Sequence, residues 1–232
     1  MNYKHILFSC LAWAFITTAK GQTIAAPTAT WDSTHRPGNF ALKVAQFKSY
    51  PNATTDIIFL GNSITANTDR VEELGNPRVK NRGISGDITF GVLERLDEVI
   101  EGKPAKVFIL IGINDISRNV PDKVILENYG KMIRRIKAGS PATKIYFQTL
   151  LPTNSTFDRF KNHYHKETHI LWLNNTLKEL GKTEKITVID LYPAFLDDQN
   201  RLKKEYTHDG LHLTPAGYRN WVAVLRKGKF LE

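Results

Sequence analysis

The sequence predicts an α/β fold, a three-layer α/β/α sandwich built around a doubly wound parallel sheet of about five strands. Short β-branched, apolar runs alternate along the chain with longer stretches of helical periodicity. Each apolar run is continuous rather than alternating, which is typical of a strand covered on both faces. No internal repeat, low-complexity tract or linker interrupts the pattern between Asp56 and Glu232, so a single domain accounts for it.

The apolar runs predict the strands, and apolar residues at helical spacing predict the helices. The strands cover residues 56–60, a short stretch near Val79, and residues 106–111, 144–149 and 186–191. The helical stripes are Val92, Leu96, Val99 and Ile100; Ile125, Tyr129, Met132, Ile133 and Ile136; Ile170, Leu173, Leu177 and Leu180; and Tyr218, Trp221, Val222 and Leu225.

The final helix has a clear start, because Thr214 suits the N-cap and Pro215 the first helical position. A further helix is predicted over residues 39–49. This succession gives a flavodoxin-like sheet, in which ligands bind at the carboxyl ends of the strands. Ser63, Gly83 and Asn114 follow the first, second and third strands, so all three are expected at that edge.

The first residues have the pattern of a secretory signal. Lys4 precedes an apolar run over residues 6–19, and small residues at Ala19 and Gly21 suit a signal peptidase site. We expect residues 1–21 to be a cleaved signal peptide, residues 22–232 to be one domain, and the protein to be secreted or periplasmic. A membrane anchor is the less favoured alternative, because a helix that spans a membrane needs about 20 apolar residues and the run over residues 6–19 is shorter. Cys10 lies in this segment, so the mature chain would have no thiol.

The charge balance is basic, with 32 Lys and Arg against 23 Asp and Glu. Cleavage after Gly21 would leave a net charge of about +7. Such a charge favours anionic substrates, cell-surface glycans or membrane headgroups through long-range electrostatic steering. The alternative is that the charge serves only solubility. The basic residues are scattered rather than arranged in a stripe with aromatic residues, so no nucleic-acid partner is predicted. No stable membrane insertion is expected after cleavage, and the oligomeric state stays open.

Four short motifs supply the parts of an acyl-transfer site. They are Gly-Asn-Ser-Ile-Thr at residues 61–65, Asn-Arg-Gly at 81–83, Gly-Ile-Asn-Asp at 112–115 and Asp-Gly-Leu-His at 209–212. Ser63 stands just past a strand, where a nucleophile is expected, and His212 can act as its base with Asp209 as the orienting carboxylate. Taken alone, Ser63 could be a helix cap and the Asp209–His212 pair a surface turn. Their combination favours catalysis.

With these motifs the chain resembles the SGNH, or GDSL-like, hydrolases, a family of esterases and lipases. The resemblance runs from about Asp56 to the C-terminus, and the Leu-Thr-Pro-Ala-Gly-Tyr sequence at residues 213–218 extends it. One departure is Asn62, where the family often has Asp, and it bears on local hydrogen bonding more than on chemistry. The resemblance implies Ser63, His212 and Asp209 as the catalytic residues, with no cofactor and no metal.

An oxyanion hole is expected beside the nucleophile, because an attacked ester carbonyl gains negative charge. The predicted donors are the backbone amides of Ser63 and Gly83 and the side chain of Asn114. Gly86 competes for the role of Gly83. The structural alternatives are a turn glycine at Gly83 and a loop-capping amide at Asn114.

The loop at residues 152–164 follows the fourth strand and is expected at the same edge of the sheet. Its aromatic residues Phe157, Phe160 and Tyr164 are predicted to shape the substrate pocket, against the alternative of ordinary loop packing.

Other titratable residues are given no chemical step. His163, His165 and His169 are interpreted as surface histidines, because they lack a His-Glu-x-x-His pattern; a metal site is the alternative. Asp87 is expected to cap the helix that begins near Ile88, and Asp115 to tie the Asn114 loop to its surroundings.

The sequence therefore predicts a serine esterase that acts on a small-molecule or glycan ester. The resemblance implies short-chain acyl hydrolysis, with acetyl removed from a sialic acid or a plant polysaccharide as the first expectation. Residues 56–65 and 81–89 also resemble the branch that acts on platelet-activating-factor-like lipids, so a lysophospholipase or thioesterase is the alternative enzyme. A glycan-binding module on a degenerate esterase scaffold and a metal-dependent hydrolase are the remaining alternatives.

Overall fold

The computed structural model describes residues 30–232, so the predicted signal peptide lies outside the described residues. Its sheet has five parallel strands in the order β2-β1-β3-β4-β5. The strands are β1 Ile57–Gly61, β2 Val79–Gly83, β3 Lys106–Leu110, β4 Lys144–Gln148 and β5 Thr187–Ile189. The predicted α/β sandwich with a flavodoxin-like sheet is confirmed, and the strand ends differ from the predictions by one or two residues.

The described part of the chain has nine α-helices on the two faces of the sheet. They are α1 Phe40–Lys48, α2 Ser63–Ala66, α3 Arg70–Leu74, α4 Thr89–Glu94, α5 Leu96–Glu101, α6 Ile113–Ser117, α7 Asp122–Gly139, α8 Glu167–Thr183 and α9 Pro215–Lys227. The start of α9 is as predicted, because Thr214 Oγ1 accepts a hydrogen bond from the Gly217 N–H at 3.3 Å. Within the described residues, no helix is both long and apolar enough to cross a membrane.

The two central strands form the middle of the core, and every residue of β1 and β3 is buried. Phe59, Phe108 and Tyr146 occupy neighbouring positions on β1, β3 and β4. Their rings stack at centroid distances of 4.7 and 4.6 Å, nearly parallel to one another. This aromatic ladder stabilises the register of the three strands.

The edge strand β2 does not follow the prediction of continuous apolar strands. Its sequence, Val-Lys-Asn-Arg-Gly, is mostly polar. Arg82 is nevertheless buried, because its Nε donates to Glu98 Oε1 at 2.5 Å and its guanidinium lies 4.9 Å from the centre of the Phe47 ring. An edge strand next to an ion-paired helix tolerates a charge that a central strand would not.

A buried arginine connects the ends of the first two strands. Arg95 is 2% exposed, and its Nε donates to Asp87 Oδ2 at 2.9 Å. Its Nη1 donates to the carbonyl of Arg82 at 2.9 Å, and its Nη2 donates to the carbonyl of Gly61 at 3.1 Å. Burial raises the pKa of Asp87 and lowers that of Arg95, whereas the charge of each partner opposes the shift of the other. One side chain thus holds β1, β2 and the turn after β2 together.

Arg95 also explains an error in the helix prediction. The single helix expected from Val92 to Ile100 is divided into α4 and α5, with Arg95 between them at φ −99° and ψ 9°. The break falls at the residue whose side chain turns inward to three acceptors.

Replacing Arg95 with Met should lower the free energy of unfolding by about 3–5 kcal/mol, because Asp87 would remain buried without its partner. Urea unfolding followed by circular dichroism measures this loss. The matched control is Arg134→Met, since the Arg134 side chain is 60% exposed and pairs with Glu184 at the surface. That variant should lose less than about 1 kcal/mol. Equal losses in the two variants would contradict a special role for Arg95.

Candidate active site

Three loops meet at the carboxyl edge of the sheet. Ser63 follows β1 and is the first residue of α2. The side chain of Asn62 caps that helix, because its Oδ1 accepts the Ile64 N–H at 3.0 Å. Gly86 lies in the turn after β2, and Asn114 lies in α6 after β3. The expectation that these motifs share one edge follows from the parallel topology, since the carboxyl ends of neighbouring strands point the same way.

Ser63, His212 and Asp209 form a continuous chain of contacts. Ser63 Oγ lies 2.9 Å from His212 Nε2, and His212 Nδ1 lies 2.7 Å from Asp209 Oδ2. Ser63 is 8% exposed and Asp209 is 3% exposed, so the contacts are shielded from bulk water. The structure therefore brings together the three side chains that the sequence motifs singled out.

The carboxylate of Asp209 sets the proton positions in this chain. Because a carboxylate only accepts hydrogen bonds, Nδ1 of His212 carries the proton and Nε2 is free to accept the Ser63 hydroxyl proton. Burial raises the pKa of Asp209, but hydrogen bonds from the His212 side chain and from the His212 and Leu211 amides outweigh it and hold the pKa below its ordinary value. Asp209 is therefore a stable anion that orients the imidazole.

The loop that carries Asp209 and His212 is fixed by its own hydrogen bonds and by its neighbours. Thr207 Oγ1 donates to the His212 carbonyl at 2.7 Å and accepts the Gly210 N–H at 2.8 Å. The Gly210 carbonyl accepts the Asn154 N–H at 2.8 Å. Gly210 has φ +83°, a conformation that favours glycine. The imidazole thus faces Ser63 from a rigid support.

Gly83, one of the predicted oxyanion donors, is already engaged elsewhere. Its N–H donates to Asn81 Oδ1 at 2.9 Å, and a Cβ at this position would lie 2.3 Å from the backbone nitrogen of Ala66. Gly83 therefore serves the close packing of α2 against β2. Gly86 lines the same cleft as Ser63, and no residue in the range 30–232 accepts its N–H. The structure contradicts the choice of Gly83 and favours Gly86, the competitor named from the sequence.

Asn114 faces the cleft with both ends of its amide held. Its Nδ2 donates to the carbonyl of Asp87 at 2.9 Å, and its Oδ1 lies 3.0 Å from His163 Nε2. His163 is half-buried in the cleft wall, so its interpretation as a surface histidine is wrong. No local sequence pattern indicates this contact, because 49 residues separate the two partners.

The cleft has a volume of about 380 Å³, within the range of small-molecule sites. One wall is apolar and the rim is polar. The lining residues are Ser63, Asn67, Ser85, Gly86, Asn114, Ser117, Arg118, Phe160, His163, Leu211 and His212. Arg118 is exposed at the rim and brings a positive charge to the cleft.

Of the three aromatic residues predicted to shape the pocket, only Phe160 lines the cleft. Its ring meets the ring of His212 edge to face at 4.9 Å and that of His163 at 5.8 Å. Tyr164 is buried, and its hydroxyl donates to the Asp209 carbonyl and accepts the Phe160 N–H. Phe157 packs beside Gly210. The prediction is wrong for Tyr164 and Phe157, because both support the loops instead of facing the substrate.

The histidine-rich segment does not converge on one point. His163 contacts Asn114, whereas His169 Nδ1 lies 2.9 Å from Asp122 Oδ2. Among the described residues, no group of three or more His, Cys, Asp or Glu side chains is arranged to hold a metal ion.

The acidic residues beside the site have structural partners. Asp115 accepts the Thr89 N–H at 3.0 Å and the Thr89 hydroxyl at 2.6 Å, so it ties the Asn114 loop to α4 as expected. Asp87 accepts the Ile88 N–H, but the first N–H of α4 goes to Asp115, and the main partner of Asp87 is Arg95. Burial raises the pKa of Asp115 to about 7, against the hydrogen bonds from Thr89.

The model of the GDSL-like Lipase/Acylhydrolase family matches residues 59–219. Over 149 residues the chain is 32% identical to the arylesterase of Vibrio mimicus, a match that covers 62% of this chain and 66% of the arylesterase. Over 170 residues it is 29% identical to the N-acylneuraminate cytidylyltransferase of Escherichia coli O18:K1:H7, covering 72% of this chain and 38% of that protein. The chain thus spans less than two thirds of either relative.

A solved structure is similar over more of its length. The protein, from Streptococcus pneumoniae, is described as a candidate platelet activating factor; it is 30% identical to this chain with a TM-score of 0.75. The match covers 82% of this chain and 92% of the other.

The raised pKa of Asp115 predicts a specific pH dependence of stability. Between about pH 4 and pH 7 the folded protein keeps a proton that the unfolded chain has lost, so the free energy of unfolding should fall by about 1.4 kcal/mol per pH unit. Asp115→Asn removes this contribution. In urea unfolding, the free energy of unfolding should fall between pH 5 and pH 7 by about 2–3 kcal/mol more in the wild type than in Asp115→Asn.

The control for this measurement is Asp158→Asn, since the Asp158 side chain is 84% exposed. It should follow the wild-type pH dependence. A wild type and an Asp115→Asn variant that lose the same free energy between the two pH values would contradict the assignment.

Proposed function

We propose that this chain, which belongs to the GDSL-like Lipase/Acylhydrolase family, is a serine esterase that removes short acyl groups, above all acetyl, from a carbohydrate. The observation that carries the proposal is the chain of contacts from Ser63 to His212 at 2.9 Å and from His212 to Asp209 at 2.7 Å. A hydroxyl, a neutral imidazole and a carboxylate in this order are the parts of a serine nucleophile and its base.

In the first step Ser63 Oγ attacks the ester carbonyl carbon, and its proton passes to His212 Nε2. The imidazolium that forms is stabilised by the anionic Asp209, whose oxygen lies 2.7 Å from Nδ1. When the tetrahedral intermediate collapses, the bond to the alcohol oxygen breaks and His212 returns the proton to that oxygen. An acyl-enzyme and a free alcohol remain.

In the second step water attacks the acyl-enzyme and gives a proton to His212, which then returns it to Ser63 Oγ as the acid leaves. In both steps the carbonyl oxygen becomes negatively charged. The Gly86 N–H and the Asn114 side-chain amide line the cleft beside Ser63, and we assign them, with the Ser63 N–H, as the oxyanion donors. Donors fixed before the reaction stabilise this charge without reorganising.

The form of the cleft supports a short acyl group. Phe160 and Leu211 give it an apolar wall, but its volume is about 380 Å³ and two sides are occupied by His212 and His163. An acetyl group fills a small part of such a space and leaves the remainder for the alcohol. A long acyl chain would have to extend over the polar rim.

A carbohydrate, in particular an acidic sugar, fits the remainder of the cleft. Asn67, Ser85 and Ser117 offer hydroxyl and amide groups at the rim, and Arg118 offers a guanidinium that suits a carboxylate. The similarity to a protein named for N-acylneuraminate, which carries a carboxylate, supports an O-acetylated sialic acid as the substrate. Export directed by residues 1–21 would bring the enzyme to extracellular glycans.

The alternative substrate class is a short-chain lipid ester. The 30% identity to the Streptococcus pneumoniae protein described in terms of platelet activating factor supports it. Such a lipid also carries an acetyl group, so its alcohol part and not its acyl part distinguishes the two proposals.

Replacing Ser63 with Ala should abolish both the hydrolysis of p-nitrophenyl acetate and labelling by a fluorophosphonate probe, because the only proposed nucleophile is lost. The expected fall in kcat is about 10⁴-fold or more. Ser117→Ala is the matched control, since Ser117 lines the same cleft, and it should remain labelled. An active, labelled Ser63→Ala variant would refute the mechanism. A folded wild type that neither hydrolyses the ester nor is labelled by the fluorophosphonate would support the alternative of a glycan-binding module.

A panel of esters tests the substrate class. We expect kcat/KM to fall from acetyl to octanoyl p-nitrophenyl esters, and we expect O-acetylated N-acylneuraminate to react faster than a neutral acetylated sugar or an acetylated choline phospholipid. Arg118→Ala should raise KM for the acidic sugar by about tenfold, the loss of one charge-assisted contact.

The neutral acetylated sugar is the internal control in this panel, because Arg118→Ala should not change its KM. Preference for octanoyl esters would exclude the acetyl assignment. Preference for the acetylated phospholipid would favour the lipid alternative.

A further inference from the structure

We infer that His163 is a positioning residue for the oxyanion hole. It holds the side-chain amide of Asn114 so that the second N–H of that amide faces the reacting carbonyl oxygen. This inference rests on the proposed function, and it adds a histidine that neither accepts nor returns the serine proton. Its basis is the contact between His163 Nε2 and Asn114 Oδ1 at 3.0 Å.

The hydrogen bonds around Asn114 determine which way its amide points. The carbonyl of Asp87 lies 2.9 Å from one end of the amide, and because a carbonyl only accepts, that end is the NH₂ group. The end that faces His163 is then the oxygen, which also only accepts. His163 Nε2 must therefore carry a proton, and Nδ1 is the unprotonated nitrogen of the neutral ring.

The NH₂ group of Asn114 has two hydrogens, and the Asp87 carbonyl takes one. The other is free to donate to an oxyanion in the cleft that Asn114 shares with Ser63. A rotated amide would turn its oxygen toward the negative charge and convert a stabilising contact into a repulsive one. The bond to Asp87 opposes that rotation from one side of the amide, and the bond to His163 opposes it from the other.

The surroundings of His163 keep it neutral. Burial lowers its pKa to about 4, and the charges of His212, Arg118 and Lys166 act in the same direction, against the attraction of Asp209. A neutral ring adds no positive charge beside His212, whose protonation in each step would otherwise cost more. His163 thus supplies a donor without disturbing the base.

The backbone around His163 holds the ring in place. His163 ends the short 3₁₀ turn Lys161–His163, and its N–H donates to the Phe160 carbonyl at 2.8 Å. The Phe160 ring packs edge to face against both His163 and His212, with centroid distances of 5.8 and 4.9 Å. Phe160 N–H is in turn bonded to the Tyr164 hydroxyl at 3.2 Å.

The test compares His163→Ala, His163→Gln and His163→Asn for the hydrolysis of p-nitrophenyl acetate. In a glutamine the side-chain nitrogen reaches the position of Nε2, whereas in an asparagine it reaches only that of Nδ1. We expect Ala and Asn to lower kcat by about tenfold with little change in KM, which is less than the roughly hundred- to thousandfold loss from removing a donor. Gln should restore most of the activity.

A double-mutant cycle separates positioning from general damage to the cleft. Once Asn114 is replaced by Ala, His163→Ala should cost nothing more, because the group that it positions is absent. Independent losses in the cycle, a raised KM with an unchanged kcat, or equal activities of the Gln and Asn variants would each overturn the inference. Thermal unfolding of every variant verifies that the fold is retained.

A second readout does not depend on catalysis. ¹⁵N NMR of uniformly labelled wild type should show His163 as the Nε2–H tautomer, and the Asn114 side-chain amide signals should shift in His163→Ala. An Nδ1–H tautomer would overturn the inference. If the wild type hydrolyses no ester while the NMR result is as expected, the proposed function fails and the contact between His163 and Asn114 stands.

Discussion

The buried ion pair between Arg95 and Asp87 is the interaction on which the active-site geometry depends. Arg95 binds the carbonyls at the ends of β1 and β2, next to the residues that lead to Ser63 and Gly86. The backbone carbonyl of Asp87, its partner, accepts from Asn114. A pair buried this deeply is costly to desolvate, and hydrophobic residues often replace such pairs without loss of stability. The contribution of this pair is geometric. It connects the loops after β1, β2 and β3, whose relative positions would otherwise depend only on the strands that precede them.

Two histidines with opposite tasks line the cleft of the nucleophile. His212 has a carboxylate on one nitrogen and the serine on the other, so it is built to gain and lose a proton. His163 has an amide oxygen on one nitrogen, and burial, helped by the positive charges around it, lowers its pKa and keeps the ring neutral. Phe160 packs against both rings. The neighbours of each imidazole thus make one ring a base and the other a fixed donor.

The sequence was sufficient for the sheet and for Ser63, Asp209 and His212, because apolar runs report burial and because a nucleophile and its base carry recognisable motifs. The sequence was insufficient to assign a role where the same residue type can serve either local packing or the active site. Gly83 ends β2 and Gly86 follows three residues later, and the two are distinguished by the bond from the Gly83 N–H to Asn81 and by the place of Gly86 in the cleft. Tyr164 is an aromatic residue of the type that often lines a pocket, but its hydroxyl donates to the backbone carbonyl of Asp209. The contact between Asn114 and His163 joins segments 49 residues apart, and no local pattern encodes it.

The hydroxyl of Tyr164 links the loop that forms one wall of the cleft to the loop that carries the base, through Phe160 and the Asp209 carbonyl. This link limits how the enzyme can acquire a new specificity. An insertion or deletion between Pro152 and Tyr164 would reshape the cleft, but it would also pull on the backbone of Asp209. Substitutions that alter substrate choice at low cost are therefore expected at side chains that end in the cleft, such as Phe160 and Arg118, and not as changes in the length of the loop.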